Sequence, residues 1–571
     1  MSNSEERRVR SSARALYGAV PKVIGSDTEL GNIVIGGHPS RLGSGYAASR
    51  ALLREVDGIA AGSSGMQIYA GTNSGYQPHF YYGYGHSTAG GSGFHDQDWG
   101  RKYLTNGGCC YIDLEHFEIC TAEVSNARAF EAAWKAMLRI SQQALLDANS
   151  RLPEGQQVVA TANNSDRNNS SWGGHISLLV SRPLFDALCV DHVFLPQAFL
   201  MAYQCSSIIF TGGGKVGAEN SRPHVPYQIS QRADFFETLH GSQTTHQRPL
   251  INTRDEPLCG RRSSWSSGGP DIDAAENLAR LHVIFYDTTL APVSTFLKVG
   301  VLQIIVAICE AGYFDPNLRL LNPLDAVLRW SHDPDLRACS RNAAGMNVTA
   351  VEHQLQFLEL AKGFVERGGC DGVVHEAEAI IALWEDTLLK LQQRDIDALA
   401  TRLDWVAKRR VLEQIIERQN LGWDSPQIRH LDVIYSSLDP EEGIYWSLDR
   451  AGLMESVTTE EEIRYLMSDP PDDTRAWTRG KLLQRGGSEI VDQVNWDRVR
   501  WRIQEEGAGV AYRLFSLDNP LRHTRAETEQ HFTAPHKLLD LAEALGAQAL
   551  DLYQHPASPT VPTIGGGKSI D

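Results

Sequence analysis

Residues 111–123, YIDLEHFEICTAE, constrain this chain more than any other stretch. They set Asp113, Glu115, His116, Glu118 and Glu123 among apolar residues in a run that reads as a strand. A carboxylate in such a segment needs a partner, because burying an uncompensated charge is costly. Strand alternation places Asp113 and Glu115 on one face, and His116 and Glu118 on the other. A bulge between them would bring the two sets together. Metal ligation and proton transfer are equal readings of this run.

Four further features carry charge into apolar surroundings. In VIGSDTELG, residues 23–31, Asp27 and Glu29 are two apart and share a strand face. Spacing alone favours a solvated face, while the sharper reading sets a hard divalent cation between the two carboxylates. His175 follows the polar, glycine-bearing stretch NNSDRNNSSWGG, and His282 stands inside LHVIF. A single histidine of either kind is more often structural than a ligand. Arg232 in ISQRADFFETL and Arg254 in INTRDEP offer forks for phosphates or carboxylates, surface salt bridges being the common alternative.

Together these carboxylates, histidines and arginines suit a nucleotide with its divalent ions. No Walker loop, Rossmann glycine pattern or kinase motif set is present, and the late GGGKS lacks the spacing of a phosphate loop. The nucleotide is therefore expected on a sheet, with ATP-dependent carboxylate chemistry as the reading from the residues.

Composition removes other classes. The 571 residues are 42% hydrophobic and 22% charged, which is globular composition. The most apolar run, 299–309, is about half of the ~20 residues a spanning helix needs, so no membrane segment is expected. Nine cysteines without a CxxC pair read as reduced thiols in a cytoplasm. A net charge of −17 disfavours nucleic acid as a partner, and an acidic partner would need a local basic groove.

Periodicity predicts strands over 23–31, 111–119, 157–162, 282–285 and 496–503. It predicts helices over 47–56, 126–146, 295–311 and 535–545, with nearly continuous helix over 349–419. Ser125 and Asn126 are candidate caps for the second of these helices. The expected organisation is a flexible extension (1–20), a catalytic domain (21–475) with a long insertion (32–100), a small α+β domain (476–556) and a flexible tail (557–571).

The strings ISQRADFFE, INTRDEP, RLHVI with STFLKVG, LDWVAKRRVLE and PPDDTRAWTRG resemble the Pup ligase and depupylase/deamidase family. GSDTELG is similar to that family's Gly-x-Glu-x-Glu-x-Gly strand. LTNGGCCYIDLEHFE is similar to its Asn-Gly-Ala-Arg-Leu-Tyr-x-Asp strand and the His-Pro-Glu that follows. The resemblance covers roughly residues 23–500 and implies an α+β fold of glutamine-synthetase type. Such a fold has a curved antiparallel sheet cradling ATP and Mg2+, helices behind it and a small C-terminal domain.

It further implies Asp113 as catalytic residue, with Asp27, Glu29 and Glu118 as metal ligands. His175 and His282 would contact metal or nucleotide, and Arg232 and Arg254 would hold phosphates. The implied partner is a Pup-like, ubiquitin-like protein. The implied reaction is hydrolysis of its isopeptide bond or of a C-terminal glutamine amide. The alternatives are ATP-dependent ligation of its C-terminal glutamate to lysines, and a small-molecule carboxylate–amine ligase. Asp113 follows Gly31 by 82 positions, a spacing similar to depupylases, which favours hydrolysis. Departures from the family pattern are Asp27 for its first glutamate, Ile-Ser after His175 for Glu-Asn, and His-Phe-Glu for His-Pro-Glu. Leu258 stands for a histidine, Cys109 replaces an arginine, and the loop after Pro257 is longer.

Overall fold

The computed structural model describes residues 16–37, 43–60, 101–255, 258–259, 277–505, 509–533 and 537–550. Most of the 32–100 insertion, residues 260–276 and the 557–571 tail lie outside the described residues.

The central antiparallel sheet is built from β1 (Ile24–Ile35), β2 (Ile59–Ala60), β3 (Lys102–Tyr103), β4 (Cys109–Asp113), β5 (His116–Cys120), β6 (Gln157–Thr161), β7 (Gly174–Ser181) and β10 (Leu278–Val283). Its order is β10-β7-β1-β5-β4-β3-β2, and β6 pairs with the outer half of β1. That pairing carries β1 four residues past the expected end at Gly31. A separate pair, β8 (Phe236–Gly241) and β9 (Arg248–Asn252), is parallel.

The structure corrects the expected single strand over 111–119. Leu114 and Glu115 form a two-residue turn, with Leu114 in the left-handed region at φ 53°. The acidic run is therefore a hairpin in which Asp113 faces His116 and Tyr111 faces Glu118. Residues directly opposite on antiparallel strands share a face. Asp113 and Glu118 thus lie on the same face without a bulge. Tight hairpins favour Asn-Gly or Asp-Gly at the turn, and Leu-Glu carries no such signal.

The other face of the sheet is apolar. Leu30, Phe117, Ile119, Ile176 and Leu178 pack in one core with Trp134 and Met137 of α2 (Ala127–Arg151) and Leu297, Val301 and Ile304 of α4 (Pro292–Ala311). Each such side chain taken out of water contributes about 1.5–3 kcal/mol. Asn126 caps α2, its Oδ1 accepting from the Ala129 amide at 2.7 Å, and the helix runs five residues beyond its expected end. Helix α4 starts at Pro292, three residues ahead of expectation. It is long and apolar enough to cross a membrane, yet it is wholly buried inside the fold.

The entrance to β1 is pinned electrostatically. Lys22 Nζ meets Glu310 Oε2 at 2.6 Å with both side chains fully buried. Glu310 also accepts from the amides of Val20 and Ser181. Residues 16–20 of the expected flexible extension are therefore held against α4, where Tyr17 donates its amide to the Glu310 carbonyl at 2.8 Å.

Toward the C-terminus, helix α8 (Ala476–Ile490) leads into a four-stranded antiparallel sheet. Its core residues Leu482, Trp501 and Phe515 pack with Tyr103, Cys109 and Cys120, so it covers the β3–β5 side of the central sheet. Glu123, the last acid of the 111–123 run, belongs to this junction. It meets Arg475 Nε at 2.9 Å and also pairs with Arg479. Burial opposes its ionisation, but the two guanidinium groups hold its carboxyl down at about 2.

Candidate active site

Register across five strands gathers the charged residues on the face turned away from the core. Glu29 of β1 is opposite Glu118 of β5, and Asp27 is opposite His175 of β7. His282 of β10 is opposite Ser177, two residues along β7 from His175. Asp113 reaches the same face from β4. All six carboxylates and imidazoles named from the sequence as metal or catalytic residues are thus brought together.

They form two triads. Asp27, His175 and His282 offer ligand atoms within 4.8 Å of one another, and so do Glu29, Asp113 and Glu118. Asp27 Oδ2 lies 3.3 Å from His282 Nε2, 3.6 Å from His175 Nδ1 and 3.6 Å from Arg280 Nη2. Burial disfavours the Asp27 carboxylate, but His282, His175 and Arg280 hold it well below the usual carboxylate range.

Among the described residues the second triad makes no ion pair of this kind. Burial, reinforced by Asp113, Asp27 and Glu29, pushes the Glu118 carboxyl well above its ordinary value. Burial and Glu29 raise Asp113 to about 6, against the opposing pull of Arg101, His175 and His116. Three converging carboxylates that repel one another fit a hard divalent cation. His282 is 5% exposed, and its Nδ1 has no hydrogen-bond partner among the described residues, which likewise fits a ligand role.

The loop before β7 sets this geometry. The Gly173 amide donates to Glu29 Oε2 at 2.6 Å. A Cβ on Gly173 would lie 1.8 Å from His175 Nε2, so only glycine lets the ring take its place. The buried Asn164 holds the loop from below, donating to the Trp172 carbonyl and to Thr288 Oγ1.

Arg232 is 1% exposed and donates from Nη1 to the carbonyls of Ile284 and Tyr286. Burial and the neighbouring Arg248 bring its pKa down to about 9, and Glu29 is among the charges that oppose this. Arg248, at the head of β9, is also depressed by burial and also feels Glu29. Two buried guanidinium groups side by side suit an anion. Arg254 lies just past β9, its Nη2 3.5 Å from Thr244 Oγ1, outside the two triads. Sequence reasoning missed Arg248 and Arg280. Arg280 could have been found, since it stands two residues before His282 and strand alternation puts both on one face.

A model of the Pup-ligase protein family matches residues 22–500. The chain belongs to this family. It is 36% identical over 434 residues to a depupylase of Acidothermus cellulolyticus, covering 76% of this chain and 81% of that relative. It is 33% identical over 443 residues to a Pup deamidase/depupylase of Mycolicibacterium smegmatis, covering 77% and 82%. A Pup–protein ligase of Nakamurella multipartita is 32% identical over 436 residues, covering 75% and 89%. Among solved structures, the Pup ligase PafA in complex with ADP matches with a TM-score of 0.63 and 27% identity, covering 76% of this chain and 89% of that one. The complex of Pup with PafA matches with a TM-score of 0.68 and 24% identity, covering 93% and 95%, and shows the shared fold. The α+β fold expected from the family strings is thus the fold of the Pup-ligase family.

Proposed function

We propose that this protein is an ATP- and magnesium-dependent enzyme that hydrolyses the isopeptide bond, or a C-terminal glutamine side-chain amide, of a Pup-like protein. The observation that carries the reading is the position of Asp113, a carboxylate with a pKa near 6 that shares the second triad with Glu29 and Glu118 on the face that also carries the first. Relatives named depupylase and Pup deamidase support the hydrolytic direction, as does the 82-position spacing between Gly31 and Asp113. The structural likeness to a Pup ligase bound to ADP supports a nucleotide on this sheet.

Asp27, Glu29, Glu118, His175 and His282 would hold magnesium, which when bound supplies charge neutralisation for phosphate oxygens. Arg232 and Arg248 bind and orient the same anion. A cavity of about 140 Å³ extends from Asp27 and Tyr111 to Arg475 and Trp496, and an aromatic wall there suits a base. Asp113 is ionised at neutral pH, yet basic enough to take a proton from water in reach of the amide carbonyl carbon. The water oxygen then bonds to that carbon, the C–N bond breaks, and the proton passes to the departing lysine amine or ammonia.

The second reading is the ligase, in which Asp113 deprotonates an incoming lysine. The ligase relative at 32% identity supports it. One assay separates them: purified protein with magnesium, ATP and a Pup-like protein ending in glutamine or joined to a lysine, followed by mass spectrometry with ADP quantified alongside. Hydrolysis gives a gain of about one dalton, or target release, with ADP far below product. A conjugate formed from the glutamate form with stoichiometric ADP establishes the ligase. Neither product, with intact nucleotide binding, overturns the assignment to Pup-like substrates.

A further inference from the structure

The cavity beside Asp27 is lined by three guanidinium groups and two carboxylates, and among the described residues its ion pairs leave one cation over. Arg280 is directed at Asp27, 3.6 Å away, and Arg475 is bound to Glu123 at 2.9 Å. Among the described residues Arg101 makes no ion pair, and its guanidinium lies flat over the Tyr111 ring, 3.9 Å from the centroid. Stacking in this way leaves the N–H groups around the guanidinium edge free to donate.

Its position relative to the strand explains how it comes to be there. Cys109, Tyr111 and Asp113 alternate along β4 onto the face that carries the triads. Arg101 enters from just before β3 and sits over Tyr111, between the other two. Its charge reaches the Cys109 thiol on one side and the Asp113 carboxyl on the other. Cys109 occupies the position at which the family string Asn-Gly-Ala-Arg has arginine. A cysteine there is small and contributes no charge.

We infer that Arg101, reaching in from just before β3, is a nucleotide-binding residue of this protein and donates to the phosphate oxygens. The inference rests on the nucleotide reading given under Proposed function. The anion it meets is the phosphate chain, because Arg101, the aromatic wall at Trp496 and Asp27 of the first triad line the same cavity. The competing source of anionic oxygen is a carboxylate of the Pup-like partner.

The test measures affinity of the full chain for magnesium-ADP, for adenosine and for a Pup-like protein. It compares the wild type with Arg101→Gln, which keeps a planar group over Tyr111, and Arg101→Lys, which keeps the charge. Circular dichroism melts confirm folding of both. Arg101→Gln is expected to weaken ADP binding about tenfold or more, and Arg101→Lys to weaken it less. Adenosine and Pup-like protein should bind all three forms alike. Unchanged ADP affinity in Arg101→Gln overturns the role of Arg101 while leaving the functional reading intact. Loss confined to the Pup-like protein assigns Arg101 to the substrate carboxylate and also overturns it. A wild-type protein that binds no ADP removes the functional reading itself.

Discussion

Asp113 lies directly across the β4–β5 hairpin from His116, at the two positions that flank the Leu114–Glu115 turn. His116 Nδ1 is 3.0 Å from the Leu30 carbonyl, and its ring packs against Trp172 with centroids 4.7 Å apart. The pairing anchors the end of the hairpin to β1 and to the loop that carries Gly173. Asp113 therefore projects from a braced turn, and its distance to Glu29 and Glu118 is set by backbone.

Replacing Asp113 with asparagine removes the proton acceptor while keeping size and shape. Turnover should fall about 10²–10⁴-fold. Affinity for magnesium-ADP, measured by calorimetry, should stay within a few-fold of wild type. Full turnover in Asp113→Asn would take this residue out of the mechanism.

The raised pKa of Asp113 also sets a pH profile. With the acceptor ionising near 6, kcat/KM should climb about tenfold per pH unit below that value and level off above it. A profile flat between pH 5 and 7 would contradict the assignment.

Stability follows the same shift with a definite sign. The folded-state pKa near 6 lies above the ordinary 3.8, so the contribution of this group is fully present below about 3.8 and is lost as pH rises through 6. In metal-free protein, Asp113→Asn should therefore stabilise the fold at pH 8 by on the order of 1–3 kcal/mol, and by almost nothing at pH 3.5. Chemical denaturation at the two pH values measures the difference.

Glu29→Ala removes a carboxylate from the second triad and the acceptor of the Gly173 amide. Magnesium-dependent nucleotide affinity should drop at least about tenfold, and chelation by EDTA should reproduce much of the loss in the wild type. Equal affinity in the variant would exclude Glu29 as a ligand.

Gly173→Ala tests the loop. The added methyl group would occupy the space of the His175 ring, so the imidazole must leave the triad or the loop must shift. Turnover should fall about ten- to a hundredfold with the fold retained, since a misplacement of an ångström costs that much in a positioned site. Wild-type activity would show that His175 is not needed where it stands.

Away from the site, Lys22→Met strips Glu310 of its cation. Leaving one buried charge unpaired typically costs about 3–5 kcal/mol. The midpoint of urea unfolding should move down accordingly, and an unchanged midpoint would show that the Val20 and Ser181 amides suffice to hold Glu310.

The residue types of the candidate site were legible before any fold was known. Asp113, Glu118 and His282 interrupt apolar stretches, and a charge in that setting announces a partner because water cannot supply one, while Asp27, Glu29 and His175 stood out through the family strings. Several elements were legible for similarly local reasons. Asn126 stands just ahead of a helical apolar spacing, and the 295–311 helix is apolar on every side because it is buried on every side.

The arrangement was decided only by the tertiary structure. Alternation tells which residues of one strand share a face, but which strand lies beside which, and in what register, depends on pairings between segments 89 to 148 residues apart: Glu29 with Glu118, Ser177 with His282, and Asp27 with His175. The hairpin at Leu114 had no local sign, because a leucine takes the left-handed conformation only when the surrounding sheet holds it there. Arg248, Arg280 and Arg101 look like ordinary surface cations in the sequence. Arg101 and Arg280 become site residues because they reach one cavity from separate parts of the chain, and Arg248 because the fold sets it near Arg232; reach in three dimensions is not written in one-dimensional spacing.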